Sequence, residues 1–246
     1  MAGIVHLNPV HLNLQADAGL QAATPDIAVL DAIHADKARL RAKLRARRAE
    51  AAAANGAAIA QVAAERFLAG IPLRPGLAIA GYWPMADELD PRPLLARLRA
   101  EHGAHILLPV TPMQKGGALE FRLWSAGEVL QPGRYGIPAP GPQAAALRPD
   151  IMLVPLVGFD VKGERLGMGA GYYDATLAAL REDAALRENA ALREDAGREG
   201  TRPPPLAVGY AFAVQQVPEL PVRPDDQRLD WVVTERGAIN CAGNVG

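Results

Sequence analysis

Ile151-Met152-Leu153-Val154-Pro155-Leu156-Val157-Gly158-Phe159-Asp160 runs on into Val161-Lys162-Gly163-Glu164-Arg165-Leu166-Gly167-Met168-Gly169-Ala170-Gly171-Tyr172-Tyr173-Asp174. Its opening seven residues are apolar without a break, the pattern of a strand buried on both faces. Glycine spacing then forces a turn, and a helical composition begins at Tyr172-Tyr173-Asp174. Strand, glycine turn, helix is the repeating unit of an α/β protein. Similar short apolar runs stand at Leu77–Trp83, His105–Val110, Leu206–Tyr210 and Trp231–Thr234, with a less buried one at Leu119–Trp124. Helical patterns separate several of them. Ala35–Ala54 and Ala57–Ala69 are interrupted by Asn55-Gly56, and Leu94–His102 follows Pro91 and Pro93. The spacing predicts a mostly parallel sheet covered on both faces, with ligands bound at the carboxyl ends of its strands.

Composition narrows the function. The 246 residues carry 26 Lys+Arg against 27 Asp+Glu, a balance that argues against a nucleic-acid binder. No apolar run approaches the roughly 18–20 residues of a membrane span. One cysteine, Cys241, excludes an internal disulfide and a multi-cysteine zinc site, as suits a reducing, cytoplasmic compartment. The one serine, Ser125, lacks the first glycine of a nucleophile elbow, which argues against serine hydrolase chemistry. His102 and His105 straddle a helix-to-strand turn with no further ligand nearby.

Organisation along the chain is simple. Residues 1–30 show no sustained period and no basic start followed by an apolar core, so they are expected to be a loosely ordered extension rather than a signal peptide. Residues 31–240 are expected to form one domain with a helical repeat insertion at about 178–200. The repeat is Ala-Ala-Leu-Arg-Glu-Asp, with Asn closing its second copy, over residues 178–195. Leucines six apart rotate by about 240° around a helix and share no stripe. Residues 184–195 are therefore expected to be dispensable.

Four stretches can carry chemistry. In the first, alternating Gly167, Gly169 and Gly171 expose backbone amides ahead of a helix N-terminus, the requirement of a phosphate cradle. A plain turn needs the same glycines. The third glycine of a dinucleotide fingerprint is missing, since Tyr172 stands there, and no Gly-Lys precedes Ser or Thr as a P-loop requires. In the second, Lys37, Arg41, Arg45 and Arg48 fall within an arc of about 80° and form a basic stripe, suited to a polyphosphate or simply to solvent. The third, Gly81 to Asp90, sets Tyr82, Trp83 and Met85 beside Asp87, Glu88 and Asp90 at a strand end, where a flat heterocycle with basic nitrogens fits. In the fourth, Asp226 in Pro224–Asp230 can help bind magnesium or cap a turn.

Taken together, these residues resemble the 5-formyltetrahydrofolate cyclo-ligase (5,10-methenyltetrahydrofolate synthetase) family. The most specific match is Gly158-Phe159-Asp160 with Gly163-x-Arg165-Leu166-Gly167-x-Gly169-x-Gly171-Tyr172-Tyr173-Asp174. Lys37-x-x-Leu40-Arg41, the Met85–Asp90 loop, Gly136-Ile137-Pro138-x-Pro140 and Asp226-x-x-x-Asp230-x-Val232-Val233-Thr234-Glu235 follow in the family's order. The resemblance implies a three-layer α/β/α fold, Rossmann-like without a P-loop, and an ATP- and magnesium-dependent closure of 5-formyltetrahydrofolate to 5,10-methenyltetrahydrofolate through a phosphorylated formyl group. It implies a monomer whose partners are ATP and a reduced folate. A paralogue acting on another formylated or amide substrate, and a non-catalytic folate binder, are the rival readings.

By the same resemblance, ATP is held by Lys37, Ala38, Arg39, Leu40 and Arg41, and by Arg165 with Leu166, Gly167, Met168, Gly169, Ala170, Gly171, Tyr172 and Tyr173. Met85, Asp90, Met168 and Tyr172 contact the folate, Asp174 and Asp226 hold magnesium, and Arg165, Tyr172 and Asp174 are catalytic. Met168 and Ala170 replace residues that are often Arg, Lys, Tyr or Gly in relatives, which moves phosphate neutralisation onto Lys37, Arg41 and Arg165. Pro91 replaces a usual threonine and Ala139 a common glutamate. Arg45 and Arg48, outside the matched block, are expected to matter much less, and Asp174→Asn is expected to spare folding.

Overall fold

The computed structural model describes residues 27–193 and 202–244. Helix α1 spans Ile27–Gly70, α2 Arg92–His102 and α3 Tyr172–Arg193. The strands are β1 Ala78–Ala80, β2 His105–Val110, β3 Glu120–Leu123, β4 Gln131–Pro132, β5 Pro138–Ala139 and β6 Ile151–Val154, then β7 Gly158–Phe159, β8 Arg165–Leu166, β9 Leu206–Tyr210, β10 Trp231–Thr234 and β11 Gly237–Asn240. Seven of them form one sheet in the order β11-β10-β9-β6-β1-β2-β3. The five inner strands are parallel, and β3 and β11 close the edges antiparallel.

Alternation along the strands explains the layers. Ile79, Ile106, Ile151, Leu153, Val208, Tyr210 and Val233 point to one face. There they meet Ala60, Ala63, Ala64 and Phe67 of α1 and Leu94, Leu95 and Leu98 of α2. Ala78, Ala80, Leu107, Met152, Val154, Ala207 and Val232 point to the other, toward Tyr172 and Leu177 of α3. The result is the expected three-layer α/β arrangement with a mostly parallel sheet. Among the described residues no helix is long and apolar enough to cross a membrane.

The predicted break in α1 lies at Asn55, whose backbone leaves the helical region (φ −162°, ψ 35°) before the helix resumes. Residues 1–26 lie outside the described residues, and α1 begins at Ile27, inside the span assigned to the extension. β4, β5, β7, β8 and β11 were not foreseen. Each is two to four residues long and too short to show a period.

The repeat departs from its expectation at one end. Arg181 of its first unit donates to Gln227 Oε1 at 3.0 Å and to the Arg228 carbonyl at 2.7 Å. Ala184, which opens the second unit and lies within the span expected to be dispensable, is buried. Leu177, Leu180 and Ala184 share one helix face, and Leu186 lies about 180° from Leu177 and is 63 % exposed. Residues 194–201, including the last of the repeat and Gly197 and Gly200, lie outside the described residues. Leu177→Ala should cost about 2–5 kcal/mol in urea unfolding, whereas Leu186→Ala should stay within about 0.5 kcal/mol. Equal losses would show that the second unit is packed as tightly as the start of α3 ahead of the repeat.

Candidate active site

The strand order reverses between β1 and β6: the chain leaves β1 for β2 on one side and reaches β6 on the other. Parallel sheets open a crevice at the carboxyl ends of their strands at such a switch point. A cleft of about 510 Å³ lies there. Tyr82, Trp83, Met85 and Glu88 enter it from the loop after β1, Pro109 from the end of β2, Thr111 and Lys115 from beyond it, and Pro155 and Leu156 from the end of β6.

One end of the cleft is cationic. β7 and β8 form a hairpin whose turn is held by Asp160, which accepts from the amides of Lys162 (2.9 Å), Glu164 (3.2 Å) and Leu220 (3.1 Å). Gly163 takes φ +83° there, and a Cβ would lie 2.4 Å from the Leu229 carbonyl oxygen, so no other residue fits. The hairpin delivers Arg165 and the Gly167–Gly171 loop to the N-terminus of α3, where free amides and the helix dipole favour an anion. Gly169 is left-handed (φ +97°) and lies against the Arg41 guanidinium, with its Cβ direction 3.6 Å from Cζ. Arg41 Nε donates to the Gly167 carbonyl at 2.8 Å.

Two ion pairs hold the rest. Arg165 Nη2 meets Asp174 Oδ1 at 2.6 Å, and the same oxygen accepts the Gln227 amide at 3.0 Å. Lys37 Nζ pairs with Asp226 Oδ2, which also accepts the Arg223 amide at 2.7 Å. Burial pulls the pKa of Arg165 below the usual guanidinium range against the opposing pull of Asp174, and burial likewise lowers Arg41 against Asp226. Three cations thus face two carboxylates, an imbalance that an incoming anion corrects.

The other end is aromatic. Trp83 packs edge-on against Trp124 with centroids 6.1 Å apart, and Arg92 lies over the Trp83 ring at 5.3 Å. Tyr135 stands across from Tyr172 with the two hydroxyls 3.1 Å apart. That shared bond pushes the Tyr172 phenol up and draws the Tyr135 phenol down. Tyr135 is the non-glycine residue with positive φ (59°) among those described, a strained conformation for a bulky side chain beside a ligand cleft. Burial raises Glu88 above the usual carboxylate range, opposed by its bond from the Met85 amide (2.9 Å) and by Arg48.

Lys37, Arg41, Met85, Arg165 to Asp174 and Asp226 all line this one cleft. Ala38, Arg39, Leu40 and Asp90 are not brought to it. On α1 only the residues four apart face inward; Arg39 is exposed and pairs with Asp36, and Leu40 packs beside Leu44 and Val157. Asp90 instead binds Arg92, with Nη2–Oδ2 2.7 Å, and accepts the Arg92 amide at 2.9 Å as α2 begins. Glu88, two residues earlier in the same loop, is the carboxylate that reaches the cleft. Tyr135 and Ile137 also line the cleft and were not assigned to it, although Ile137 belongs to the quoted Gly136-Ile137-Pro138 block and Tyr135 adjoins it. For Lys115 nothing in the sequence gave a signal.

The basic stripe needs a larger correction. Lys37 and Arg48 are 4 % and 1 % exposed, so this face of α1 is packed and not solvated, and only Arg45 is exposed. Arg48 is therefore paired inside the protein rather than solvated, and it lies apart from the cationic end.

A sequence profile for the 5-formyltetrahydrofolate cyclo-ligase family matches residues 33–235. The chain is 33 % identical over 179 residues to the 5-formyltetrahydrofolate cyclo-ligase of Escherichia coli K12, covering 71 % of this chain and 86 % of that one. It is 27 % identical over 187 residues to the protein of the same name from Haemophilus influenzae, covering 74 % and 89 %. In fold it is similar to the NMR structure of Aquifex aeolicus 5,10-methenyltetrahydrofolate synthetase, with TM-score 0.63, 24 % identity and coverage of 83 % and 92 %. The Mycoplasma pneumoniae 5,10-methenyltetrahydrofolate synthetase superposes with TM-score 0.57 at 20 % identity, covering 81 % and 99 %. With the profile spanning most of its length and the E. coli relative matched over most of both chains, this chain belongs to the 5-formyltetrahydrofolate cyclo-ligase family.

Proposed function

We propose that the protein closes 5-formyltetrahydrofolate to 5,10-methenyltetrahydrofolate at the expense of ATP, releasing ADP and phosphate. The observation that carries this reading is the cleft's two-ended chemistry. A cationic, amide-lined end suits a polyphosphate, and an aromatic end with a buried carboxylate suits a flat heterocycle bearing N–H donors.

In the proposed reaction the formyl oxygen attacks the γ-phosphorus of ATP, and the bond to the ADP oxygen breaks. The neighbouring bridge nitrogen then attacks the activated carbon and loses its proton as phosphate departs. No covalent enzyme intermediate is needed, so positioning and charge neutralisation carry the rate. Lys37, Arg41 and Arg165 neutralise the phosphates, with the loop amides from Leu166 to Tyr173 around them. Met85, Met168, Tyr172 and Glu88 contact the folate, and the Tyr135–Tyr172 pair closes the opposite wall of the cleft.

Among the described residues no three metal-ligating side chains cluster. Asp174 and Asp226 nevertheless both line the cationic end, each bonded to its cation through one oxygen, which fits an ion that takes one or two carboxylates plus substrate phosphates. Magnesium bound there would neutralise phosphate charge and orient the reacting phosphoryl group.

Absorbance of the methenyl product should rise only when both ATP and 5-formyltetrahydrofolate are supplied, with ADP formed in equal amount. Folate binding without ADP release would instead support a storage role. Lys37→Ala and Arg41→Ala should each raise the ATP requirement about ten- to hundred-fold, the size of a lost charge-assisted contact, and leave folate affinity nearly intact. Arg45→Ala, at an exposed position, should leave both unchanged; equal effects at all three positions would move the nucleotide site elsewhere. Asp174→Asn should lower activity by orders of magnitude, with partial recovery at high magnesium. Because it leaves the Arg165 guanidinium without its counter-charge, it should also cost about 1–3 kcal/mol of stability, more than the sequence alone suggested. Full activity in Asp174→Asn would remove that residue from the site.

A further inference from the structure

Arg48 has no part in the cationic end, and its burial needs another reason. From α1 its guanidinium reaches the loop after β1, with Nη2 2.8 Å from Asp87 Oδ1 and Nε 3.2 Å from Asp87 Oδ2. Its remaining nitrogen, Nη1, donates to the Leu156 carbonyl at 3.2 Å and lies 3.6 Å from Glu88 Oε1. Leu156 lies just beyond the end of β6, so one side chain ties together the two loops that flank the switch point. Both loops line the cleft, through Met85 and Glu88 on one side and Leu156 on the other. A guanidinium 1 % exposed receives no help from water, and its planar fork admits one arrangement of these partners.

We propose that Arg48 is a positioning residue of the cleft: it fixes the Asp87–Glu88 loop against the end of β6 and keeps Glu88 a charged acceptor for the N–H groups of a flat heterocyclic substrate. This rests on the cyclo-ligase reading for the identity of the substrate but not for the state of Glu88. The groups around Glu88 are the Met85 amide and Asp87 from its own loop, Arg48 from α1, and the phenols of Tyr82 after β1 and Tyr173 of α3. Burial and the Asp87 charge favour the neutral carboxyl, and the Met85 amide and Arg48 favour the carboxylate. Burial and the Glu88 charge raise both phenols, so neither supplies a charge at neutral pH. Arg48 is therefore the cation that, beside the Met85 amide, favours the Glu88 carboxylate.

The pH dependence follows with a definite sign. Loss of the Arg48 charge raises Glu88 further, so its carboxylate is lost at a higher pH than in the parent. In Arg48→Gln the acid limb of kcat/KM for 5-formyltetrahydrofolate should move up by about 1–3 pH units, the usual effect of one nearby charge, with KM for ATP unchanged. Arg48→Lys restores the charge but not the fork. Its acid limb should return toward the parent's, with KM for the formyl substrate raised about ten-fold. Glu88→Gln should abolish the limb. Carbon-13 titration of the Glu88 carboxyl in the ligand-free protein, assigned by its absence in Glu88→Gln, should show the same upward shift in Arg48→Gln. That titration needs no turnover, so it separates failure of this inference from failure of the cyclo-ligase reading. An unmoved Glu88 titration in folded Arg48→Gln, a limb that survives Glu88→Gln, or an Arg48→Lys protein with both KM values unchanged would overturn the proposal. If Arg48→Gln does not fold, the last two measurements still decide it.

Discussion

Three cations on one face of α1 must each find a counter-charge or a carbonyl once that face is covered. An unpaired buried charge costs several kcal/mol, so α1 docks where all three are met at once. Lys37 reaches Asp226 before β10, Arg41 reaches the Gly167 carbonyl after β8, and Arg48 reaches Asp87 and Leu156 beyond β1 and β6. Each partner lies on a different loop at the carboxyl side of the sheet. The apolar half of α1, from Ala60 to Phe67, supplies area without a unique register. The charged half fixes the helix's rotation and position along its axis, and with them the walls of the cleft.

This arrangement also explains what the amino-acid sequence made legible. Ile151–Val154, His105–Val110, Leu206–Tyr210 and Trp231–Thr234 read as strands because burial on both sheet faces demands unbroken apolar runs. The glycine loop read as a site because only a ligand or a sharp turn needs such spacing. The β7–β8 hairpin was hidden in that same stretch, since two-residue strands leave no periodic trace. Asp90 and Glu88 could not be separated by composition. Both are acids in one loop, and the choice between them is made by Arg92, which draws Asp90 toward α2. The burial of Arg48 was hidden for a related reason. A helical stripe of cations looks the same in sequence whether it meets water or carboxylates, and the carboxylates at 87 and 88 lie about forty residues away.

Met168 and Ala170 bring no charge to the glycine loop, so its cationic character comes from outside it. Arg41 compensates most directly, because it binds a carbonyl of that loop and lies under Gly169. A cation attached in this way serves two ends: it stabilises the left-handed turn and keeps its own charge at the mouth of the amide cradle. A lysine or arginine at 168 would have to be ordered separately on a mobile side chain, at a cost in rotamer entropy of up to about 2 kcal/mol.

On the proposed reading, the ion pairs at the cationic end hold the places that phosphate oxygens would take. Lys37 with Asp226 and Arg165 with Asp174 neutralise each other within hydrogen-bond distance, so the cleft does not have to hold bare charges before its ligand arrives. A polyphosphate bound as proposed would exchange one set of oxygen acceptors for another around cations that are already oriented. The carboxylates it displaces from full pairing keep the backbone amides of Gln227 and Arg223, and they have oxygens left over for a hard cation arriving with the phosphates. By this proposal the same side chains would stabilise the fold with and without the phosphates, and reorganisation on binding would be confined to a change of partners. That is the condition under which fixed charges lower the barrier to phosphoryl transfer, because they are aligned before the reaction begins.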